Sequence, residues 1–428
     1  MIRDELLEEI RKLPVIDAHS HMKRDQLAAE KLEKVALYHM VGYVLRAAGG
    51  ETPDEGDDES ETPLLRLADA WSAVSRSAFG WMLRLIFRDL YDFDEPLTRE
   101  SLPRLQKQFD ERASRDDWAE QVLGRTNIRR MLSNRSDVAP LSPGDYDPGM
   151  RFTTETSVIT SHREHQPLRK RIRKAAEGFD VEVRGIADVR EIVQRFFERV
   201  SFEDRRAYVT WPSAQADFRP APDGVLDDAV RTCMAGDYLS LGAERLIEGA
   251  IIREVCAAVR GRVPVFQFVY GTQSIAGASR GSNRPVARRC PELASSMGHL
   301  FAEFPDLHFN IMTGFESDEF TWCSQCLAYE NVSLLGGWWQ TFHFSVLHHL
   351  WQRRFDMAPT TKLMAFFSDG YCVDWVYARL RVVQQTLANV LAERIDRGFL
   401  TFDDAVAMAR EALFETPRRI FLPDETIT

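Results

Sequence analysis

From residue 157 onward the chain alternates short apolar segments with longer amphipathic ones, and this alternation limits the fold more than any other feature. An apolar strand is also predicted near the start, in "PVIDAH" (14–19). The later strand-like segments are 157–162, 207–211, 263–271, 307–313, 331–339 and 362–369, with helix-like segments between them that include 186–200, 223–260 and 290–304. Strands that alternate with helices over such a length predict parallel βαβ units. We therefore expect an α/β fold, a closed (β/α)8 TIM barrel.

A long helical stretch separates the first strand from the rest of the barrel. Residues 27–123 have helical periodicity, interrupted by the acidic segment "ETPDEGDDESE" (51–61). A stretch of this size exceeds any ordinary connection and indicates an inserted helical subdomain. We predict three parts: an N-terminal helix with the first strand (1–26), the helical insertion (27–125), and the remaining barrel with its C-terminal helices (126–428).

Composition narrows the classes of partner. The 428 residues carry a formal net charge of −11, which opposes binding to nucleic acid. No apolar run reaches the roughly 18 residues of a membrane helix, and the charged N-terminus has no signal core. The six cysteines are scattered, which favours reduced thiols. We expect a soluble, cytoplasmic protein with a small-molecule partner, no membrane or nucleic-acid partner, and assembly into a homo-oligomer.

Two histidines, His19 and His21, close the first predicted strand, and Asp369 closes the last. Residues i and i+2 of a strand share a face, and the first and last strands of a barrel are neighbours. The three side chains can therefore converge on one divalent metal ion, for which Zn²⁺ fits best and Mn²⁺ or Fe²⁺ are alternatives. In the competing interpretation, the histidines are only hydrogen-bonded and Asp369 caps the helix that follows.

Several segments carry a likeness to a known family. They are "VIDAHSHM" (15–22), "HMVGYVLRAAG" (39–49), "TSHREH" (160–165), "LGGWWQTF" (335–342), "FFSDGYCVDWVYARLRVVQQTLANVL" (366–391) and "ETPRRIF" (415–421). Over nearly its whole length the chain resembles uronate isomerase, a divergent member of the amidohydrolase superfamily. The resemblance implies a metal-assisted aldose–ketose proton shift on a sugar acid or sugar-like substrate.

The resemblance also implies roles for individual residues. His19, His21 and Asp369 take the positions of metal ligands, and Asp369 also that of the acid/base. His39 takes the position of a substrate-contacting histidine, so we regard it as a catalytic and substrate-binding candidate. The further substrate-binding candidates are Arg163, His165, Trp338 and Tyr371. For each of these, solvation, capping or packing is the competing interpretation.

The chain also departs from the family pattern at substrate positions. Val269 stands where the family has a histidine, Met40 where it has a tyrosine, and Ser274 and Tyr371 where it has arginines. The family's aspartate after the fourth strand has no counterpart. Because Ser and Tyr cannot copy the bidentate grip of arginine on a carboxylate, these changes argue against an ordinary hexuronate.

Two other functions stay open from the sequence. One is hydrolysis or a lyase step by metal-activated water, as elsewhere in the amidohydrolase superfamily. The other is a barrel without catalytic activity that binds a sugar acid or a protein.

Overall fold

The fold is described from a computed structural model of the 428-residue chain. It describes residues 2–22, 26–49, 63–135, 151–154, 168–200, 205–212, 216–236, 240–276, 283–287 and 291–425, with the single residues 202, 289 and 427.

Helices and strands alternate along these ranges. The first half contains α1 (Ile2–Lys12), β1 (Val15–Ser20), α2 (Leu32–Ala36), α3 (His39–Ala47), α4 (Pro63–Asp69), α5 (Trp71–Val74), α6 (Ala78–Tyr91), α7 (Leu102–Ala113), α8 (Trp118–Gly124), β2 (Ile128–Arg135), β3 (Arg151–Thr154), α9 (Leu168–Phe179), α10 (Ile186–Glu198) and β4 (Arg205–Thr210). The second half contains α11 (Asp223–Ala235), α12 (Leu241–Val259), β5 (Val265–Tyr270), β6 (Thr272–Ala276), β7 (Asn283–Ala287), α13 (Pro291–Ser296), α14 (Gly298–Glu303), β8 (His308–Thr313), α15 (Glu319–Ala328), β9 (Val332–Gly337), α16 (Phe344–Met357), β10 (Leu363–Met364), α17 (Val373–Asp396), α18 (Phe402–Arg410) and α19 (Thr416–Phe421).

The chain divides into two compact units. Unit 1 comprises 1–133, 342–349 and 365–414, and unit 2 comprises 134–341, 350–364 and 415–428. In unit 1, β1 pairs in parallel with β2. On its other side β1 contacts the segment 365–370, which follows β10: the Ala18 N–H donates to the Phe366 carbonyl (3.3 Å), and the Asp369 N–H donates to the His19 carbonyl (3.0 Å). The ends of the first and last strand segments therefore lie side by side.

The last long helix of unit 1 follows its sequence pattern. α17 buries the apolar stripe that contains Val376, Leu380 and Val383. It ends just before Gly398, whose φ of +74° is left-handed and suits a residue without a Cβ. In the sequence, Thr401 followed three residues later by Asp404 is typical of a capping box. The next helix, α18, begins with this capping box, in which Thr401 Oγ1 accepts from the Asp404 N–H (3.1 Å).

Unit 2 contains, within the described ranges, six parallel strands in the order β3, β4, β5, β8, β9, β10, and an antiparallel β6–β7 hairpin. A chain of buried polar side chains crosses three of its strands. Gln267 Nε2 donates to Asn310 Oδ1 (2.9 Å), and Asn310 Nδ2 donates to Ser333 Oγ (2.9 Å). That hydroxyl oxygen also lies 2.8 Å from His308 Nε2. These bonds satisfy groups that burial would otherwise penalise.

Most predicted elements are confirmed, and the exceptions are informative. The strand β2 was not predicted. The Gly/Ser-rich sequence "GASRGSNRP" (277–285) is typical of a flexible loop, and β7 includes its last three residues. The helix predicted over 223–260 is two helices, because α11 ends at Gly236, whose φ is +87°. The helix predicted over 290–304 is likewise two helices, α13 and α14. Of the strand predicted over 362–369, only β10 has strand structure. The strand predicted at 157–162 lies outside the described residues. Every helix that the structure describes is too short or too polar to span a bilayer.

Candidate metal centre

His19, His21 and Asp369 come together in unit 1. His21 Nε2 lies 3.0 Å from Asp369 Oδ1, His19 Nε2 lies 3.8 Å from the same oxygen, and one ligand atom from each residue lies within 4.8 Å of the other two. A tetrahedral Zn²⁺ with ligands at about 2.0–2.2 Å would separate those atoms by about 3.3–3.5 Å. Two imidazole nitrogens and one carboxylate oxygen at these separations fit a divalent metal ion.

The first strand positions both histidines. All six residues of β1 are buried, and the His21 N–H just beyond the strand donates to the Gly370 carbonyl (2.9 Å). Asp17, on the same strand, connects β1 to the segment 365–370, because its buried Oδ1 accepts from the Ser368 N–H (2.8 Å). Burial raises the pKa of Asp17 to about 7, although the hydrogen bonds from Ser368 oppose this rise. Asp17 was not among the predicted site residues.

Asp369 has an unusual backbone and a strongly charged environment. Its φ is +48°, in the left-handed region, and the N-cap of α17 is Cys372. The interpretation of Asp369 as the helix cap is therefore wrong. Burial by itself raises the pKa of the Asp369 carboxyl, but the hydrogen bond with His21 and electrostatic interactions with His21, Arg379 and His19 outweigh burial and hold this pKa below its ordinary value.

A buried arginine, which the sequence reasoning missed, lies behind Asp369. Arg379 Nη1 is 3.6 Å from Asp369 Oδ2, and the arginine side chain is about 1% exposed. The same nitrogen donates weakly to the Tyr38 hydroxyl (3.4 Å), and that hydroxyl donates to the Asp369 carbonyl (3.0 Å). Arg379 follows Val376 by three positions and therefore lies on the apolar face of α17. A charged residue on that face was the sequence feature that could have identified it.

Tyr371 and His39 lie beside the cluster. The Tyr371 ring is half exposed and stacks on the His21 ring, with centroids 4.7 Å apart and planes 10° apart. His39 begins α3, and its ring lies 6.0 Å from Tyr371 and 4.2 Å from Tyr38. The structure thus brings both predicted residues close to the three candidate ligands.

The other predicted site residues lie in unit 2 or outside the described residues. Trp338 belongs to unit 2, where it is buried and its backbone N–H donates to Thr341 Oγ1 (2.7 Å). Arg163 and His165 lie outside the described residues. Val269, at the position of the family histidine, is buried within β5.

Comparisons with known proteins show which solved structures have a similar fold. No family model and no curated protein matches the sequence. A uronate isomerase from Thermotoga maritima is similar in structure, with a TM-score of 0.83, 13% identity, and coverage of 98% of this chain and 97% of that one. A glucuronate isomerase from Caulobacter crescentus has a TM-score of 0.78 and 14% identity, covering 99% and 94%. A Lactobacillus casei protein, proposed to be a metal-dependent hydrolase, has a TM-score of 0.60 and 13% identity, covering 98% of each chain.

These matches extend over nearly the entire polypeptide. They confirm the predicted α/β fold class and, at the level of structure, the likeness that the sequence motifs indicated. The chain therefore has the TIM-barrel-like fold of the uronate isomerases.

Proposed function

We propose that this protein is a divalent-metal-dependent isomerase that interconverts an aldose and a ketose on a sugar acid or sugar-like substrate. The convergence of His19, His21 and Asp369 within 4.8 Å carries the proposal. Support comes from the names of the similar structures, which include a uronate isomerase and a glucuronate isomerase. Zn²⁺ suits the two-imidazole, one-carboxylate ligand set, with Mn²⁺ or Fe²⁺ as alternatives.

The chemistry needs a base and an electrophile. Aldose–ketose isomerisation moves one proton from C2 to C1 and another from O2 to O1, so it consumes no water, oxidant or reductant. A metal ion held by His19, His21 and Asp369 would supply the electrophile that polarises the carbonyl oxygen. The Asp369 carboxylate would take the proton from C2, exchange it with solvent, and deliver a proton to C1. His39, next to the cluster, is the candidate that moves the proton between the oxygens.

Other parts of the prediction remain proposals. Arg163, His165, Trp338 and Tyr371 are proposed to contact substrate, with Tyr371 and Trp338 as candidates to replace the missing family arginines. The three-part division at 26 and 125, the cytoplasmic location and the homo-oligomeric state also stay predictions.

The first experiment measures metal and turnover in the same preparations. Chelator-treated protein is reloaded with Zn²⁺, Mn²⁺ or Fe²⁺, and NMR in D₂O follows a panel of uronates and neutral aldoses. We expect isomerised product with deuterium at a substrate carbon from the loaded wild type only. His19→Ala should lower metal affinity about 100-fold or more, because a directly coordinating imidazole is lost. The control His348→Ala removes a histidine that pairs with Glu393 and should retain metal. Wild type that binds none of the three ions would overturn the proposal.

Two alternatives have their own supporting observations. The fold of the Lactobacillus casei protein favours a hydrolase that uses metal-activated water. Incorporation of ¹⁸O from labelled water into product would identify that reaction. Val269, in place of a histidine, favours a binding protein without turnover. Metal binding without reaction of uronates, aldoses, lactones or amides would indicate this second alternative.

A further inference from the structure

The Asp369 carboxylate is buried, and a buried negative charge is expensive unless a positive group lies near it. Its side chain is about 4% exposed, and it contacts positive or protonatable groups on two sides. His19 and His21 approach Oδ1, where the proposed metal ion would bind. Arg379 approaches Oδ2.

Arg379 interacts with the Asp369 carboxylate mainly through its positive charge and makes few hydrogen bonds. Its separation of 3.6 Å from Oδ2 is that of an ion pair and is too long for a hydrogen bond. Within the described part of the chain, Nε and Nη2 of this guanidinium have no hydrogen-bond partner. The faces of Phe342 and Phe367 flank it, with the guanidinium carbon 4.2 Å and 5.5 Å from the ring centroids. An arginine held this way uses little of its capacity for bidentate recognition.

The position of Arg379 sets up a competition between two cations. A metal ion at Oδ1 and the guanidinium at Oδ2 would be attracted to the same carboxylate and would repel each other through a poorly screened interior. Without a metal ion, Arg379 compensates the charge of Asp369. With one, the guanidinium opposes the second positive charge.

We propose that Arg379 is a resident counter-charge for Asp369, which stabilises the metal-free site and thereby weakens its affinity for a divalent ion. The proposal rests on the metal site put forward above. It makes Arg379 a positioning residue whose loss has opposite effects on stability and on metal binding. An arginine that only fills the core would have no such opposite effects.

The test compares Arg379→Met with the wild type, using Zn²⁺ titration against a chelating indicator and thermal unfolding of metal-free and metal-loaded protein. We expect Arg379→Met to bind Zn²⁺ about 10- to 100-fold more tightly. The metal-free variant should unfold about 5–10 °C below the metal-free wild type. The two metal-loaded proteins should unfold within about 3 °C of each other. Arg379→Lys keeps the charge, and its affinity should stay within about threefold of wild type.

Arg354→Met is the matched control. Arg354 is also a buried arginine paired with a buried carboxylate, in this case Glu319. Its loss should lower the unfolding temperature equally with and without Zn²⁺ and leave Zn²⁺ affinity unchanged. Zn²⁺ affinity of Arg379→Met that is equal to or weaker than that of wild type overturns the proposal.

A double variant covers the case in which Arg379→Met does not fold. If Arg379→Met with Asp369→Asn folds where the single variant does not, the counter-charge role is supported, because removing both charges restores balance. If the double variant is equally unfolded, the proposal fails. Should wild type bind no metal, the proposed function fails, and the double-mutant cycle on metal-free protein still decides the role of Arg379: additive effects overturn it.

Discussion

Two buried arginines of this protein, one in each unit, lie beside a buried carboxylate, and the two pairs are built differently. In unit 2, Arg354 Nε and Nη2 lie 2.9 Å and 3.0 Å from the two oxygens of Glu319, and Nη1 donates to the Leu335 carbonyl at 3.0 Å. In unit 1, a single nitrogen of Arg379 approaches Asp369, at 3.6 Å. Both arginines are almost completely buried.

The two arginines differ in how much of the carboxylate they occupy. The Arg354–Glu319 pair uses both carboxylate oxygens and most of the guanidinium, so nothing is left over for a ligand. The Arg379–Asp369 pair leaves Oδ1 to the two histidines and satisfies the guanidinium poorly. A chain that tolerates such loose pairing in its interior gains a carboxylate that can bind something else.

The largest expected effect concerns the buried ion pair between Arg354 and Glu319. Arg354→Met should lower the free energy of unfolding by about 3–5 kcal/mol, because it leaves Glu319 buried without its partner. Denaturant unfolding followed by tryptophan fluorescence measures this loss. Replacing Arg354 together with Glu319→Gln should recover much of it. A loss under about 1 kcal/mol for the single variant would remove the distinction between the two pairs.

A second prediction concerns the pH dependence of the polar network in unit 2 that contains His308, Ser333 and Asn310. Burial, and then the charges of Lys362 and Arg419, lower the pKa of His308 from 6.5 to about 3. The unfolded chain therefore binds a proton that the folded chain rejects. The stability contributed by neutral His308 is fully present above pH 6.5 and is lost as the pH falls from 6.5 toward 3.

The measurement is the acid dependence of the unfolding free energy. His308→Gln, which cannot be protonated and can still reach Ser333, should be less sensitive to acid, by about 1–2 kcal/mol at pH 5 after allowance for partial exposure. At pH 8 the difference in pH sensitivity disappears. Parallel acid curves for the variant and wild type would contradict the prediction.

The smallest effect concerns Tyr371, on the exposed side of the candidate metal site. Tyr371→Ala removes a half-exposed ring that stacks on His21, so we expect a loss of only about 0.5–1 kcal/mol in unfolding free energy. Tyr371→Phe keeps the ring and should match wild type. A loss above about 2 kcal/mol in Tyr371→Ala would mean that this side of the cluster is as tightly held as the Arg354 pair.

The sequence was informative where a residue's role follows from a local pattern. The two histidines at the end of β1, the acidic residue after the last strand, the stripe of α17 and the capping box of α18 could all be predicted this way. Alternation of apolar and amphipathic segments was enough for the fold class, because few architectures accommodate so many βαβ units.

What the sequence could not supply depends on distant contacts. β2, with the sequence "IRRMLSNR", has adjacent arginines and no clean alternation, so its strand conformation depends on pairing with distant strands such as β1. The sequence places Arg379 on the apolar face of α17 but does not show its partners, Tyr38, Phe342 and Asp369. Local propensity carries no information on such partners.

The left-handed backbone of Asp369 restricts how this position can change during evolution. Only glycine, asparagine and aspartate adopt a φ near +48° readily, so glutamate, the obvious chemical substitute, would strain the chain. Asparagine is one nucleotide away from aspartate in the genetic code and fits the same backbone. A descendant of this protein could therefore lose the carboxylate that we propose as a metal ligand in a single mutational step and still keep the same backbone.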